Sequence, residues 1–171
     1  RDGYEDSDKL CGSYLILAGA ERSKEERWRY MEKAENCIPE LSKENQWEIG
    51  NQVYRQMGGT GFSEWDYEKA FEYFDAMLSR AENNTEENDG QVMAEAQYMS
   101  GAALVLLDRA EEGKERIEKA VMFYDAYDRS EFYRDAAMAH AFWLWLMDIW
   151  NRRENRSCWN RGNWPCHTLH S

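Results

Sequence analysis

Proline is nearly missing from this chain: Pro39 and Pro165 are the only two in 171 residues. Little therefore interrupts a helix, because proline removes an amide donor and collides with the preceding turn. Positive charge is scarce as well, with 21 Lys and Arg against 33 Asp and Glu and a formal net charge of −12. Nucleic acid is excluded as a partner on that ground, since phosphates demand a cationic face, and anionic membrane surfaces are disfavoured too. No stretch reaches the roughly 20 apolar residues of a membrane span. The nearest, Ala136 to Trp150, is shorter and contains His140 and Asp148. The sequence opens on Arg1 with no initiator Met and no signal peptide, so a removed leader or a trimmed start is expected. A chain of this length suits one domain with a sizeable core.

What is present is a short stretch used three times: Glu32-Lys33-Ala34, Glu68-Lys69-Ala70 and Glu118-Lys119-Ala120. The last two copies extend further, with Ala70, Phe71, Phe74, Asp75 and Ala76 matching Ala120, Val121, Tyr124, Asp125 and Ala126 at an offset of 50. Tyr67, Ala70, Phe71, Phe74 and Met77 fall at i, i+3, i+4, i+7 and i+10, and Ile117, Ala120, Val121, Tyr124 and Tyr127 repeat the pattern. Such a period draws one apolar stripe along an α-helix. A helix with a single stripe cannot bury it alone, so a repeated stripe implies stacked units sharing a core. The eight Trp and ten Tyr are expected to fill the seams between helices.

The spacing predicts an all-α chain of seven helices in antiparallel pairs. Residues 1–7 are polar and expected to fray, and the first helix runs from Asp8 to Ala20. Ser23-Lys24-Glu25-Glu26 forms a capping box that starts a second helix, which Pro39 stops. Ser42 opens the third, with Trp47, Gly50, Val53, Tyr54 and Met57 on its face, and the run Gly58-Gly59-Thr60-Gly61 ends it. Ser63 and Asp66 begin a fourth, reaching about Glu82, and Asn83 to Gly90 is the longest loop. A fifth helix, Gln91 to Ala110, is rich in small residues that let a neighbour come close. Glu111-Glu112-Gly113 turns the chain into a sixth helix ending near Tyr127, and Asp128-Arg129-Ser130 caps a seventh that ends near Arg152. Residues 1–153 therefore read as the helical domain and 154–171 as a tail. The seventh helix is apolar nearly all round, with Phe142 to Met147 unbroken, so it needs cover on more than one side. Either the tail folds back with Trp159 and Trp164, or a second copy makes a homodimer through Phe142–Trp150.

These paired helices resemble tetratricopeptide repeats. Trp47-x-x-Gly50-Asn51-x-x-Tyr54 is similar to the family's first-helix motif, and Ala70 and Phe74 look like its second-helix Ala and aromatic. Tyr98, Gly101, Ala102 and Val105, followed by Ala120 and Tyr124, resemble another copy, and Ala34 with Pro39 a weaker first one. The likeness covers roughly residues 8 to 127. It departs from the family's repeat of about 34 residues, because Trp47 to Ala70 and Tyr98 to Ala120 are too long; insertions at Gly58–Gly61 and longer helices account for that. The resemblance implies a short solenoid with the seventh helix as its C-terminal cap, and a groove lined by the first helix of each pair. Asn51, Arg55, Met99 and Ala103 would then face a peptide or protein partner, joined by Trp159, Arg161 and Trp164 of the tail.

Little in the sequence points to catalysis. The glycine run lacks the following Gly-Lys-Ser/Thr and a preceding strand, so it is not a phosphate loop. His140, with Asp135 and Asp148 at helical distances, reads as a core histidine rather than a general base. No Glu-x-x-His pair appears on two helices, which disfavours a di-metal carboxylate bundle. Cys158, Cys166, His167 and His170 have soft-ligand chemistry for zinc, but their spacing fits no familiar finger. Disulfides are the preferred reading: Cys11 with Cys37, at the open ends of the first hairpin, and Cys158 with Cys166 across a short loop. Free thiols are the alternative. Bridges would place the protein outside the cytoplasm, in a periplasm or secreted. Asn83-Asn84-Thr85 and Asn155-Arg156-Ser157 are glycosylation tripeptides too common by chance to decide anything. The function expected is a non-enzymatic interaction module with no cofactor. An immunity or inhibitor protein that plugs a toxin or enzyme is the alternative, and an enzyme with a site of scattered residues ranks below it.

Overall fold

The structure, a computed structural model, describes residues 2–84 and 90–126, apart from the side chains of residues 2–5, 44 and 124–126. The expected seventh helix, the Phe142–Trp150 segment and the tail with its Trp159, Arg161, Trp164, Cys158 and Cys166 lie outside these residues. Among the described residues the fold is all-α, with six α-helices and no strand. They are α1 (Asp2–Ala20), α2 (Lys24–Cys37), α3 (Lys43–Ser63), α4 (Tyr67–Asn83), α5 (Gly90–Leu106) and α6 (Ala110–Ala126). A single 3-10 turn, Ile38–Glu40, links α2 to α3 and carries Pro39 at its start, where a missing amide costs least.

Each hairpin is closed by the same short connection. Three residues join α1 to α2 (Glu21 to Ser23), α3 to α4 (Glu64 to Asp66) and α5 to α6 (Leu107 to Arg109), and the joined helices lie against each other. Trp65 and Asp108, the middle residues of the last two turns, share a φ of 62°. Asp tolerates that left-handed conformation, whereas a bulky Trp is strained in it by about 1–3 kcal/mol. The caps follow the sequence in part. Ser23 Oγ accepts from the Glu26 amide at 3.4 Å, but Glu26 does not answer it: the Ser23 amide donates to Glu21 Oε1 at 3.0 Å. Asp66 accepts from the Lys69 amide at 3.2 Å and caps α4 as expected. Ser42, at the start of α3, donates its hydroxyl to Asp8 at 3.2 Å instead of bonding its own helix.

Three sequence expectations are corrected. Residues from Asp2 onward are helical, so α1 begins six residues before Asp8. The run Gly58-Gly59-Thr60-Gly61 does not end α3, which continues to Ser63. Two of its three glycines are there for closeness: a Cβ on Gly58 would stand 2.5 Å from the Phe74 ring, and one on Gly61 2.7 Å from the Ala70 amide nitrogen. Glu111-Glu112-Gly113 is not a turn either, because α5 stops at Leu106 and these residues form the first turn of α6. A Cβ on Gly113 would meet the Gly101 carbonyl at 2.5 Å, so the two glycines are where α5 and α6 cross.

The second helices begin at Lys24, Tyr67 and Ala110, each 43 residues after the last. At that spacing the core positions coincide. Met31, Phe74 and Ile117 are all at most 1% exposed, and Ala34, Met77 and Ala120 are all 0% exposed. On the first helices, Leu15, Gly58 and Gly101 are buried alike. The stripe along α4 is buried at Ala70, Phe74 and Met77 and half-buried at Tyr67 and Phe71. Val53 of α3 belongs to the core of the first hairpin, with Cys11, Leu15, Met31 and Leu41. Ala96 of α5 is buried against Phe74, Met77, Leu78 and Ala81 of α4.

Candidate functional site

The residues expected to line a groove do not form one surface. Asn51 is 3% exposed and Ala103 is 0% exposed, so both belong to seams between helices. The Asn51 amide has no hydrogen-bond partner at either its oxygen or its nitrogen, an arrangement that costs about 1–3 kcal/mol in a dry interior. Arg55 is at the surface but engaged, its guanidinium making two bonds to Glu95 of α5 at 2.6 and 2.7 Å. Met99 is half-buried at the rim of the α4–α5 core.

Exposed apolar side chains gather elsewhere, on the outer side of α1. Leu10 is 46% exposed, Leu17 44% and Ile16 74%. The residues 43 further on from Leu10 and then 43 beyond that are Val53 and Ala96, both fully buried against the preceding hairpin. Leu17 corresponds likewise to Thr60, half-buried against Met31, and to Ala103, fully buried. The outer side of α1 is therefore the same helix face that docks in α3 and α5, here without a covering helix among the described residues. Trp65 adds one more exposed aromatic, 79% exposed on the α3–α4 turn with its ring edge-on to Tyr67.

The same turn anchors the first two hairpins together. Glu64 accepts from the Trp28 indole N–H at 2.9 Å and from Arg27 at 3.2 Å, and meets the Lys24 ammonium at 3.1 Å. Burial pushes its carboxyl up, but the Trp28 and Lys24 hydrogen bonds and the Lys24 and Arg27 charges outweigh it and hold the carboxyl below the usual 4.5. A depressed carboxyl stabilises the fold above its unfolded value and loses that contribution as pH falls through the folded one. Glu64→Gln is accordingly expected to cost about 1–3 kcal/mol at pH 7, and the gap to the wild type should close on acidification below the usual carboxyl range. Urea midpoints of both proteins across pH 7 to 3 measure it, and a gap that stays constant with pH contradicts the assignment.

Cys11 and Cys37 do not form the expected bridge. Both are free, buried thiols, and Cys11 Sγ donates to the Ala34 carbonyl at 3.4 Å. Burial, then the neighbouring Cys37 and Asp8, push the Cys11 thiol up to about 11, and burial and Glu40 raise that of Cys37. Thiols held protonated in this way serve as small apolar core residues, not nucleophiles. The expectation of an extracytoplasmic location loses this support and rests on Cys158 and Cys166 alone, which lie outside the described residues.

Among the described residues no group of three or more His, Cys, Asp or Glu side chains is placed to hold a metal ion. None of the described helices is long and apolar enough to cross a membrane. The chain matches no family model, no curated protein and no solved structure.

Proposed function

We propose that the chain is a non-enzymatic interaction module that binds a protein or peptide partner, built as a short tetratricopeptide-like stack of helical hairpins. The observation that carries this reading is the outer side of α1, where Leu10 and Leu17 stand exposed at positions whose counterparts further along the chain dock against a helix pair, with the exposed Ile16 beside them. Exposed apolar groups gathered on one face are a mark of docking surfaces. The 43-residue spacing supports a stack of like units, longer than the family's repeat of about 34 residues. Partner contact moves, on this reading, from Asn51 and Ala103 to the α1 face, with Arg55, Met99 and Trp65 at its disposal on neighbouring surfaces.

The inhibitor reading keeps one specific support. Glu111, Glu112, Glu115 and Glu118, with Lys114 among them paired to Glu118, line a shallow and predominantly acidic cleft on α6, suited to a basic partner. The two readings separate experimentally. Wild-type protein and an Ile16→Glu/Leu17→Glu double variant are used to capture partners from a native extract, alongside Glu115→Lys/Glu118→Lys. A protein retained by the wild type and lost with the α1 variant, whose melting temperature is unchanged, supports the interaction module. Loss only with the α6 variant supports the inhibitor, and identical capture by all three contradicts both.

A further inference from the structure

The second hairpin carries a cation at a position where the other two carry none. Arg80 of α4 stands where the first hairpin has Cys37, 8% exposed, and the third has the half-buried Phe123. Its guanidinium crosses α3 over Gly50, where an added Cβ would lie 2.6 Å from Nη2. The counterparts of Gly50 are Ser7 and Met93, so only this hairpin leaves that space open. Nη2 donates to the Gln46 carbonyl at 2.7 Å, the guanidinium sits 5.6 Å from the centroid of the Tyr54 ring, and Nε is buried with no acceptor. The head group is thus fixed on an aromatic face and meets no carboxylate among the described residues, although Arg27, Arg29, Arg55, Arg109 and Arg116 each meet one.

Beside it opens a cleft of about 540 Å³ between the start of α3 and the end of α4, lined by Arg80, Lys43, Gln46, Trp47, Ser79 and Asn83 among others. Two cations face this cleft and, among the described residues, no carboxylate lines it, in a chain with 33 acidic and 21 basic side chains. Lys43 likewise has no ion pair among the described residues. Ser79 adds a hydroxyl, the Gln46 and Asn83 amide nitrogens are held by backbone carbonyls at 3.0 and 2.7 Å, and the half-buried Trp47 forms the apolar side. Guanidinium and ammonium groups bind oxyanions by charge-assisted hydrogen bonds, and an aromatic platform holds the guanidinium in place for it.

We propose that this cleft is an oxyanion site, in which Arg80 and Lys43 take the carboxylate or phosphate group of a small ligand whose apolar body rests on Trp47. The site is independent of the α1 face and stands or falls without it. Titration of the full-length, ¹⁵N-labelled chain with sodium acetate, and separately with inorganic phosphate, tests it at constant ionic strength against sodium chloride. The expected result is a saturating shift of the Trp47, Ser79 and Asn83 amide signals, with affinity on the order of millimolar. Tighter binding of acetate assigns a carboxylate ligand, and tighter binding of phosphate a phosphorylated one. Arg80→Gln and Lys43→Gln should each weaken binding about tenfold. Lys43 is exposed at the first turn of α3, so its variant keeps the test valid even where Arg80→Gln disturbs the fold. No saturable shift, the same shifts with chloride, or wild-type affinity in Lys43→Gln overturns the proposal.

Discussion

Phe74→Ala is expected to lower the stability of the fold by about 3–5 kcal/mol, the range for truncating a buried aromatic. Phe74 is 1% exposed and sits among Met77, Leu78, Ala81, Val92 and Ala96, with the Phe62 ring at 6.1 Å. The cavity left behind would be hard to refill. On the α3 side the ring lies against Gly58, which has no side chain to move in, and Ala81 and Ala96 on the α4–α5 side are too short to reach the void. Lost burial and an unfilled void therefore add. Urea unfolding of the purified variant measures the difference. A change below about 1 kcal/mol would place Phe74 on an exposed face, contrary to every contact it makes.

Gly61→Ala should also destabilise, against the expectation from helix propensity. In an open helix the change gains up to about 1 kcal/mol, because glycine loses the most backbone freedom on folding. At Gly61 the new Cβ would stand 2.7 Å from the Ala70 nitrogen and 3.0 Å from Ala70 Cα and the Asp66 oxygen. All three are backbone atoms, so the start of α4 must move away from α3. We expect a net loss of about 1–3 kcal/mol. Gly59, two residues earlier in the same helix, is exposed with nothing within 4 Å of its would-be Cβ. Gly59→Ala should therefore stabilise by up to about 1 kcal/mol. Opposite signs from two glycines in one run is the signature of a helix crossing. Equal losses at both would restore the turn that the sequence suggests.

That pair shows where sequence reasoning meets its limit. Glycine marks turns and close helix approaches alike, and a single chain does not say which. Gly58, Gly61 and Gly113 each suggest a turn in the sequence, yet each is an approach site. The stripes on α4 and α6 were legible because period alone fixes a face. Their register was not. The offset of 50 read from Glu-Lys-Ala differs from the structural 43 by seven residues, which is close to two full helical turns. A slip of that size returns the apolar face almost to where it was, so the stripe cannot detect it, and only the hairpin turns decide. A signal for the α1 surface was nevertheless present. Leu15-Ile16-Leu17-Ala18 is apolar on four consecutive helical positions, more than one seam can cover. Leu15 and Ala18 take the buried side and Ile16 and Leu17 are left outside. Asn51 and Ala103 carried no such signal, since small and polar residues look the same in a groove and in a tight seam. The Arg80 cleft depends on side chains from two helices 34 positions apart, Gln46 and Arg80, and no local pattern reports that.

The central claim is that three hairpins repeat every 43 residues, with turns at Glu64 to Asp66 and Leu107 to Arg109 and with the glycines inside the helices. Residue-resolved amide hydrogen exchange tests it most directly. The account predicts that the Gly58, Gly59 and Gly61 amides exchange as slowly as their neighbours in α3, and that the Gly113 amide, bonded to the Arg109 carbonyl at 3.0 Å, is protected with the rest of α6. Exchange of those glycine amides at the rate of an unstructured peptide, with protection resuming on both sides, would contradict it.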